Sequence, residues 1–382
     1  MLDTQTFGAL LTSFHFRWAT GVPCSYLENL INYSSNYLKY FAAVNEGDAV
    51  AMAAGASVAG VRTAVLMQNS GLTNAISPLT SLNYPFKIPV LGFVSLRGEA
   101  GAPDEPQHEL TGRITEQMLD MMEIPWQYLS VDPAQSQDQL LYANEILDAG
   151  KTFFFVVRKD TFGKEPLCAP TRTVHGNVTV AIKRETDQRP SRFAALKVIN
   201  SRKNGHTVQV VTTGKAGREL FTVEDSPNNF YMVGSMGCAS SFGLGIALAQ
   251  KHKKVVVIDG DGALLMRMGN LAMSGYYGGP NFLHIVLDNE SYESTGGQQS
   301  IAHNVDFVAI AAACGYTQAL YLHSLDELDA AIATWQASPT LSFFQIKISE
   351  GSMESLGRPT VKPHEVKERL KHFIMQDGIG EL

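Results

Sequence analysis

The sequence predicts an α/β protein built from two doubly wound, parallel-sheet domains, and three observations predict it. Short apolar runs alternate with helical stretches along most of its 382 residues. The alternation lapses over residues 159–190, which carry three prolines, mixed charge and weak periodicity, and it restarts at Ser191. Within Lys254–Asn289, two apolar runs, Val255–Ile258 and Phe282–Leu287, flank one helical stretch and each runs into an acidic turn. Two buried parallel strands that stop at the same sheet edge give this pattern. The expected boundaries are 1–165 for the first domain, 166–190 for the linker and 191–382 for the second domain.

In the first half, Thr4–Phe16 reads as a helix entering the strand Ala19–Val22, and Pro23-Cys24-Ser25 turns the chain into the helix Tyr26–Tyr33. Tyr40–Val44 is a short strand that reaches Asn45-Glu46-Gly47-Asp48. The small residues of Asp48–Gly60 predict a helix packed very closely against its neighbours. Ala64–Met67 is a strand running into Gln68-Asn69-Ser70-Gly71. Ile88–Leu96 is another strand, followed by Arg97 and a polar loop through His108, and Thr152–Val157 is the last of this half. In the second half, Ser191 is a suitable N-cap for the helix Arg192–Ser201. The strands Val208–Thr212 and Phe230–Val233 end at Thr213-Gly214 and Gly234-Ser235-Met236-Gly237. Ala239–Gln250 is a small-residue helix. The helices Phe307–Cys314 and Leu325–Ala337 precede the strand Leu341–Ile348.

Composition narrows the function. A chain 45% hydrophobic and 18% charged, with net charge −7, has no basic tract to neutralise nucleic-acid phosphates. Its four cysteines are far apart and form no CxxC pair, so a reducing, cytoplasmic setting is expected. The first residues lack the basic region of a secretory signal. No apolar run approaches the ~20 residues that span a bilayer, so no membrane is expected as a partner.

The chemistry is written most clearly in Gly260-Asp261-Gly262, followed by 25 residues (Ala263–Leu287) and then Asp288-Asn289. Asp261 and Asn289 supply hard oxygen ligands suited to Mg²⁺ or Ca²⁺ at two neighbouring strand ends. The helix after Gly262 offers free backbone N–H groups to a phosphate.

At these residues the chain resembles the thiamine-diphosphate enzymes, whose fingerprint is GDG, about 25 residues, then two asparagines. Asp288 departs from that fingerprint, but the ligating second asparagine is present as Asn289. The resemblance implies thiamine diphosphate and Mg²⁺ as cofactors, with the Ser291 carbonyl as a third metal ligand. It implies that Gly260, Asp261, Gly262 and Ala263 hold the diphosphate, while Thr213, Gly214, Gly234 and Ser235 border the cofactor. Met236 is then the apolar wedge beneath it. It also implies a carboxyl group from the other domain that exchanges a proton with the cofactor's pyrimidine ring. Glu46 fits, at the end of a strand and before a small-residue helix.

Further phrases, Thr20-Gly21-Val22-Pro23-Cys24-Ser25, Met67–Leu72, Arg97-Gly98-Glu99, Asp104–His108 and Ser294–Gln298, narrow the resemblance to the phosphonopyruvate decarboxylases and their sulfopyruvate decarboxylase relatives. The short linker leaves no room for the third domain of larger relatives. The expected reaction is decarboxylation of 3-phosphonopyruvate to phosphonoacetaldehyde, with sulfopyruvate decarboxylation or carboligation as alternatives. The substrate is then a small anionic 2-oxo acid. Arg97, Ser25, Asn69, Ser70 and Thr295 are its expected contacts, Arg97 as a bidentate oxyanion ligand or as a tether for Asp104 or Glu105. His108 is a second catalytic candidate, for protonation or carboxylate orientation. Lys215 and Arg218 read as a solvated helix face. The family places its cofactor between domains of two subunits, which implies at least a homodimer. A non-catalytic Mg²⁺–nucleotide module is a reading from another class, and it has no use for Glu46.

Overall fold

Short strands, most of them largely apolar, build both halves of the chain, and each half forms its own parallel sheet. The computed structural model describes residues 1–168, 179–180, 189–353, 356–357 and 359–376. By internal contact the chain divides into two units, Met1–Thr173 and Val174–Leu382.

The first unit has strands β1 (Phe16–Gly21), β2 (Lys39–Ala42), β3 (Arg62–Gln68), β4 (Leu91–Ser95), β5 (Trp126–Tyr128) and β6 (Phe153–Val157). They form one parallel sheet in the order β2-β1-β3-β4-β6-β5. The interior strands β4 (LGFVS) and β6 (FFFVV) are buried at every position, as strands covered on both faces must be. The chain moves outward from β1 to β2 and then returns to β3. This puts a switch point, where crevices open, at the carboxyl ends of β1 and β3. The helix Glu46–Val58 is almost wholly buried, because alanine and glycine let it lie close to its neighbours. It begins at Glu46 rather than at Asp48, capped by the Asn45 side chain, which accepts from the Gly47 N–H at 2.8 Å.

The second unit has strands β7 (Thr179–Val180), β8 (Thr207–Val211), β9 (Asn229–Tyr231), β10 (Lys254–Gly260), β11 (Phe282–Asp288), β12 (Ser291–Tyr292), β13 (Gln298–Gln299), β14 (Gln318–Leu322) and β15 (Ser342–Lys347). Seven of them make a parallel sheet, β7-β14-β15-β11-β10-β8-β9, and β12 and β13 form a small antiparallel pair. The switch point lies between β8 and β10. β7, inside the expected linker segment 166–190, joins this sheet beside β14. Most of the rest of that segment lies outside the described residues. The Ser191 cap is present, its hydroxyl accepting from Ala194 N–H at 3.2 Å.

Two parallel α/β sheets are therefore what the alternation predicts. Elements the alternation did not predict include β5, β7, β12, β13, β14 and the helices Asn69–Pro78, Glu109–Met121, Pro133–Asp148, Lys215–Val223 and Pro363–Met375. Among the described residues, no helix is long and apolar enough to cross a membrane.

Candidate active site

In the second unit, β10 and β11 run in parallel register up to the pair Gly260–Leu287, so both chains leave the sheet at one level. A cleft of about 220 Å³ opens there. Thr213, Gly214, Met236, Gly260, Asp261, Gly262, Ala263, Asn289, Ser291 and Thr295, all expected at the cofactor or substrate, line it. Gly234 and Ser235 lie in the adjoining turn. There Ser235 (φ 50°) and Gly237 (φ 88°) take left-handed conformations, and Cys238 N–H donates to the Ser235 carbonyl at 2.9 Å. That tight turn presents Met236, partly exposed, to the cleft instead of to the core.

Asp261 is 2% exposed and starts the helix Asp261–Met266. The Ser300 hydroxyl donates to its Oδ2. Burial, with a smaller contribution from the charge of Asp288, pushes its carboxyl up to about 6. The Tyr292 ring rests directly on Gly262, where a β-carbon would sit 2.3 Å from Tyr292 Cε1. The loop from Asn289 to Ser300 thus folds back over the GDG turn. It is tied by Ser300 N–H to the Glu290 carbonyl (2.8 Å) and by Ser291 N–H to Asn289 Oδ1 (3.2 Å).

The same loop is clamped from the side. Arg192, buried, donates through Nε and Nη2 to Glu219 (3.0 and 3.1 Å) and through Nη1 to Glu293 Oε2 (2.7 Å). Lys215 Nζ lies 3.9 Å from Glu293 Oε2 and lines the cleft, so the expected solvated face is corrected at this residue. At the strand end, Asp259 Oδ1 accepts from Gly260 N–H (3.0 Å), with His284 Nε2 3.5 Å from Oδ2.

In the first unit, the carboxyl ends of β1 to β4 gather a second set. Glu46 is 9% exposed; Asn74 Nδ2 donates to its Oε2 at 2.9 Å. A β-carbon at Gly71 would lie 2.0 Å from Glu46 Oε1, so glycine is required for the carboxyl to occupy its place. The helix Asn69–Pro78 starts with the N–H groups of Asn69, Ser70 and Gly71 in its first turn, free of helical partners. The Asn69 side chain is committed elsewhere, donating to the Arg97 carbonyl (2.8 Å) and to Thr115 Oγ1 (3.0 Å). Ser70 Oγ accepts from Gln68 Nε2 at 2.7 Å. His108 is buried, with no hydrogen-bond partner at Nδ1. Burial pushes the Cys24 thiol up.

Arg97 gives the tethering outcome rather than the free fork. Nε donates to both Asp104 carboxylate oxygens (3.1 and 2.8 Å), Nη2 also binds Asp104, and Nη1 donates to Ser25 Oγ at 3.1 Å. The guanidinium lies over the Tyr26 ring, 4.7 Å from its centroid. It holds the Asp104 carboxyl well below the usual carboxylate range. The Nε/Nη2 face is thereby used inside the protein, and an external oxyanion meets Arg97 only through the N–H groups left on Nη1 and Nη2 and through its charge.

Comparison with known proteins places this geometry. Residues 4–122 match the N-terminal TPP-binding domain of thiamine pyrophosphate enzymes, and residues 212–346 match their C-terminal TPP-binding domain. The phosphonopyruvate decarboxylase of Streptomyces viridochromogenes is 39% identical, over 100% of this chain and 97% of its own. The chain belongs to the thiamine pyrophosphate enzymes, in the phosphonopyruvate decarboxylase family. The sulfopyruvate decarboxylase of Methanosarcina acetivorans is more distant, at 30% identity over 93% of each chain. The benzoylformate decarboxylase of Polynucleobacter necessarius shares the fold, with TM-score 0.72 at 15% identity, covering 92% of this chain and 99% of that one.

As a thiamine pyrophosphate enzyme, the chain binds thiamine diphosphate, and the cleft fits the anchored end of that group. Asp261 is a buried carboxylate with a raised pKa, and a cation beside it would offset the cost of that burial. Among the described residues, no three His, Cys, Asp or Glu side chains are grouped to hold a metal alone. An Asp, an Asn and a carbonyl instead suit Mg²⁺ whose shell is completed by water and phosphate oxygens. The departure at Asp288 also has a local cause. Fully buried, it accepts from Gln345 Nε2 and from Lys347 Nζ, both at 2.7 Å, across the β11–β15 pairing. Its carboxylate serves the sheet.

Proposed function

We propose that this protein decarboxylates 3-phosphonopyruvate to phosphonoacetaldehyde, using thiamine diphosphate held through Mg²⁺. The observation that carries the reading is Glu46, a buried carboxyl fixed between Asn74 and Gly71 beside the free first-turn N–H groups of Asn69–Gly71. Asp261, Asn289 and the Ser291 carbonyl hold the cation, and Gly260–Ala263 and Gly214 receive the diphosphate. Bound there, thiamine diphosphate supplies the electron sink that lets carbon dioxide leave a 2-oxo acid. Glu46 exchanges the proton that activates the pyrimidine ring, and its buried setting keeps water from competing. Met236 supports the ring system from below.

The substrate is placed by first-unit residues. The N–H groups of Asn69 and Ser70, the Ser25 hydroxyl and the charge of Arg97 receive its anionic ends. Buried His108, with Nδ1 unpartnered, orients the carboxylate or returns a proton to the product carbon. Thr295 on the cleft wall is neutral and adds no charge against a trianionic substrate. Support for the phosphonate substrate comes from 39% identity to a phosphonopyruvate decarboxylase against 30% to a sulfopyruvate decarboxylase. Glu46 and Asp261 lie in separate units, and the functional form is a homo-oligomer, at least a dimer, with sites at subunit interfaces. The setting is cytoplasmic.

The test is CO₂ release with thiamine diphosphate, Mg²⁺ and either phosphonopyruvate or sulfopyruvate. Higher kcat/KM for the phosphonate is expected; equal or reversed preference overturns the substrate assignment. Glu46→Gln should abolish turnover while thiamine diphosphate still binds, and wild-type activity in that variant removes Glu46 from its role.

A further inference from the structure

A second cavity of about 350 Å³ opens in the first unit, at the sheet edge opposite the catalytic one. It lies by the amino ends of β4 and β6. Leu79, Met122 and Ile124, all buried, give it an apolar floor. Lys87 and Lys151 stand on its rim against a single acid, Glu123, which accepts from the Tyr84 hydroxyl at 3.1 Å.

Four local features converge on this cavity. Asn83 is 1% exposed; its Nδ2 donates to the Ile88 carbonyl at 3.0 Å, and its Oδ1 has no partner. The Thr152 hydroxyl is also buried and unpartnered. Leu79–Asn83 is a π-helical turn, a geometry frequent at functional sites. Lys87 (φ 52°) and Glu123 (φ 55°) hold left-handed backbone, which non-glycine residues keep only where their surroundings enforce it. Buried polar atoms without partners are costly, so one cavity collecting two of them beside two lysines is shaped for a ligand.

We propose that this cavity binds a small organic carboxylate with a short apolar body and a hydrogen-bond donor at its far end. The carboxylate meets Lys87 and Lys151, the body lies on Leu79, Met122 and Ile124, and the donor reaches Asn83 Oδ1, with the Thr152 hydroxyl beside it. The site acts on catalysis through one continuous rod. The helix Asn69–Pro78 runs directly into the turn Leu79–Asn83, and its other end carries Gly71 and Asn74, which fix the Glu46 carboxyl. A ligand that draws on Asn83 therefore bears on the placement of Glu46.

The experiment uses the full chain loaded with thiamine diphosphate and Mg²⁺, with 4-hydroxybutyrate as probe. Butyrate, which lacks the donor, and 1,4-butanediol, which lacks the charge, are the controls. Calorimetry should show millimolar binding of the probe, at least fivefold weaker binding of each control, and at least tenfold weaker probe binding in Lys87→Gln/Lys151→Gln. Thr152→Val should weaken the probe while the fold and basal turnover are kept. Hydrogen exchange should slow over residues 79–88 and 149–152 when the probe binds, and this readout is independent of which 2-oxo acid the enzyme uses. At saturation, turnover of the wild type should change at least twofold and that of the double lysine variant should not. Absence of binding at 50 mM, or undiminished binding in the double variant, overturns the site. Protection without any change in turnover overturns its action through Glu46.

Discussion

Gly71 stands against Glu46 so closely that a β-carbon at position 71 would lie 2.0 Å from Oε1 and 2.2 Å from Cδ. The first-turn backbone of one helix and the first side chain of another are thus interlocked. Gly71→Ala should push the carboxyl from its place by an ångström or so. A misplacement of that size costs on the order of 10²-fold in rate. The expected outcome is a large fall in kcat with a nearly unchanged cofactor Kd and melting temperature. Unchanged kcat in a folded variant would show that the carboxyl has freedom the structure does not give it.

If Asp261 holds the cation as proposed, cofactor binding should depend on pH. Its folded carboxyl titrates at about 6 in the absence of a cation, above the unfolded value. The folded chain then holds the extra proton between these values. The metal-free protein is most stable below the unfolded pKa, and it loses that stabilisation as pH rises through 6. A cation must displace the proton. The apparent Kd for Mg²⁺ with thiamine diphosphate should rise about tenfold per unit as pH falls below 6, and should level off above it. Asp261→Asn should abolish this dependence and weaken binding at every pH, read by thermal shift at pH 5 and pH 7.

Asp288 gives a cleaner separation of fold from chemistry. Asp288→Asn restores the family's paired asparagines but removes the carboxylate that holds Lys347. Lys347 keeps Glu290 at 2.7 Å, so the loss should be only about 1–2 kcal/mol, less than for a fully orphaned charge. That corresponds to a fall of roughly 3–6 °C in the melting temperature of a domain this size. Mg²⁺ affinity and kcat should stay within about twofold, since Asn289 remains.

The Arg97–Asp104 clasp supplies the fourth case. Asp104→Asn should release the guanidinium from its set position by Ser25 and Tyr26. Lower kcat/KM, by about tenfold, and a lower melting temperature are expected, as for loss of a half-buried, multiply bonded ion pair. The folded Asp104 carboxyl titrates below its unfolded value, so its stabilisation is complete above about pH 4 and is lost only in stronger acid. The gap in melting temperature between wild type and variant should therefore close as pH falls below that point.

What the sequence showed of this site, and what it concealed, follows from distance along the chain. Gly260-Asp261-Gly262 and Asn289 were legible because each terminates a buried apolar run whose length and ending are local properties. Glu46 was legible for the same reason, standing between a short strand and a run of alanines. Ser300 was not: it comes 39 residues after Asp261, and it reaches that carboxylate only because the loop returns through the β12–β13 pair. Arg192 looked like an ordinary first residue of a helix, and its bond to Glu293 spans 101 residues. The edge strand β5 has three residues, too few for a period to register, and β14 mixes polar and apolar positions at the sheet margin. Arg97 shows a different limit. Both fates of its fork were written in the sequence, and only the loop's fold decided for Asp104.

The clamp built on Arg192 also bears on how the chain can be divided. Arg189 pairs with Glu290, the Pro190 carbonyl accepts from Ser349 N–H at 2.9 Å, and Arg192 bonds Glu293 and Glu219. Among the described residues, the fastenings named here for the loop over Asp261 lie at or after residue 189. The second unit brings its own doorpost, and a cut made upstream of Arg189 severs none of these bonds. Two separately made polypeptides, mixed, should then reassemble the diphosphate cleft without any covalent link to the half that bears Glu46.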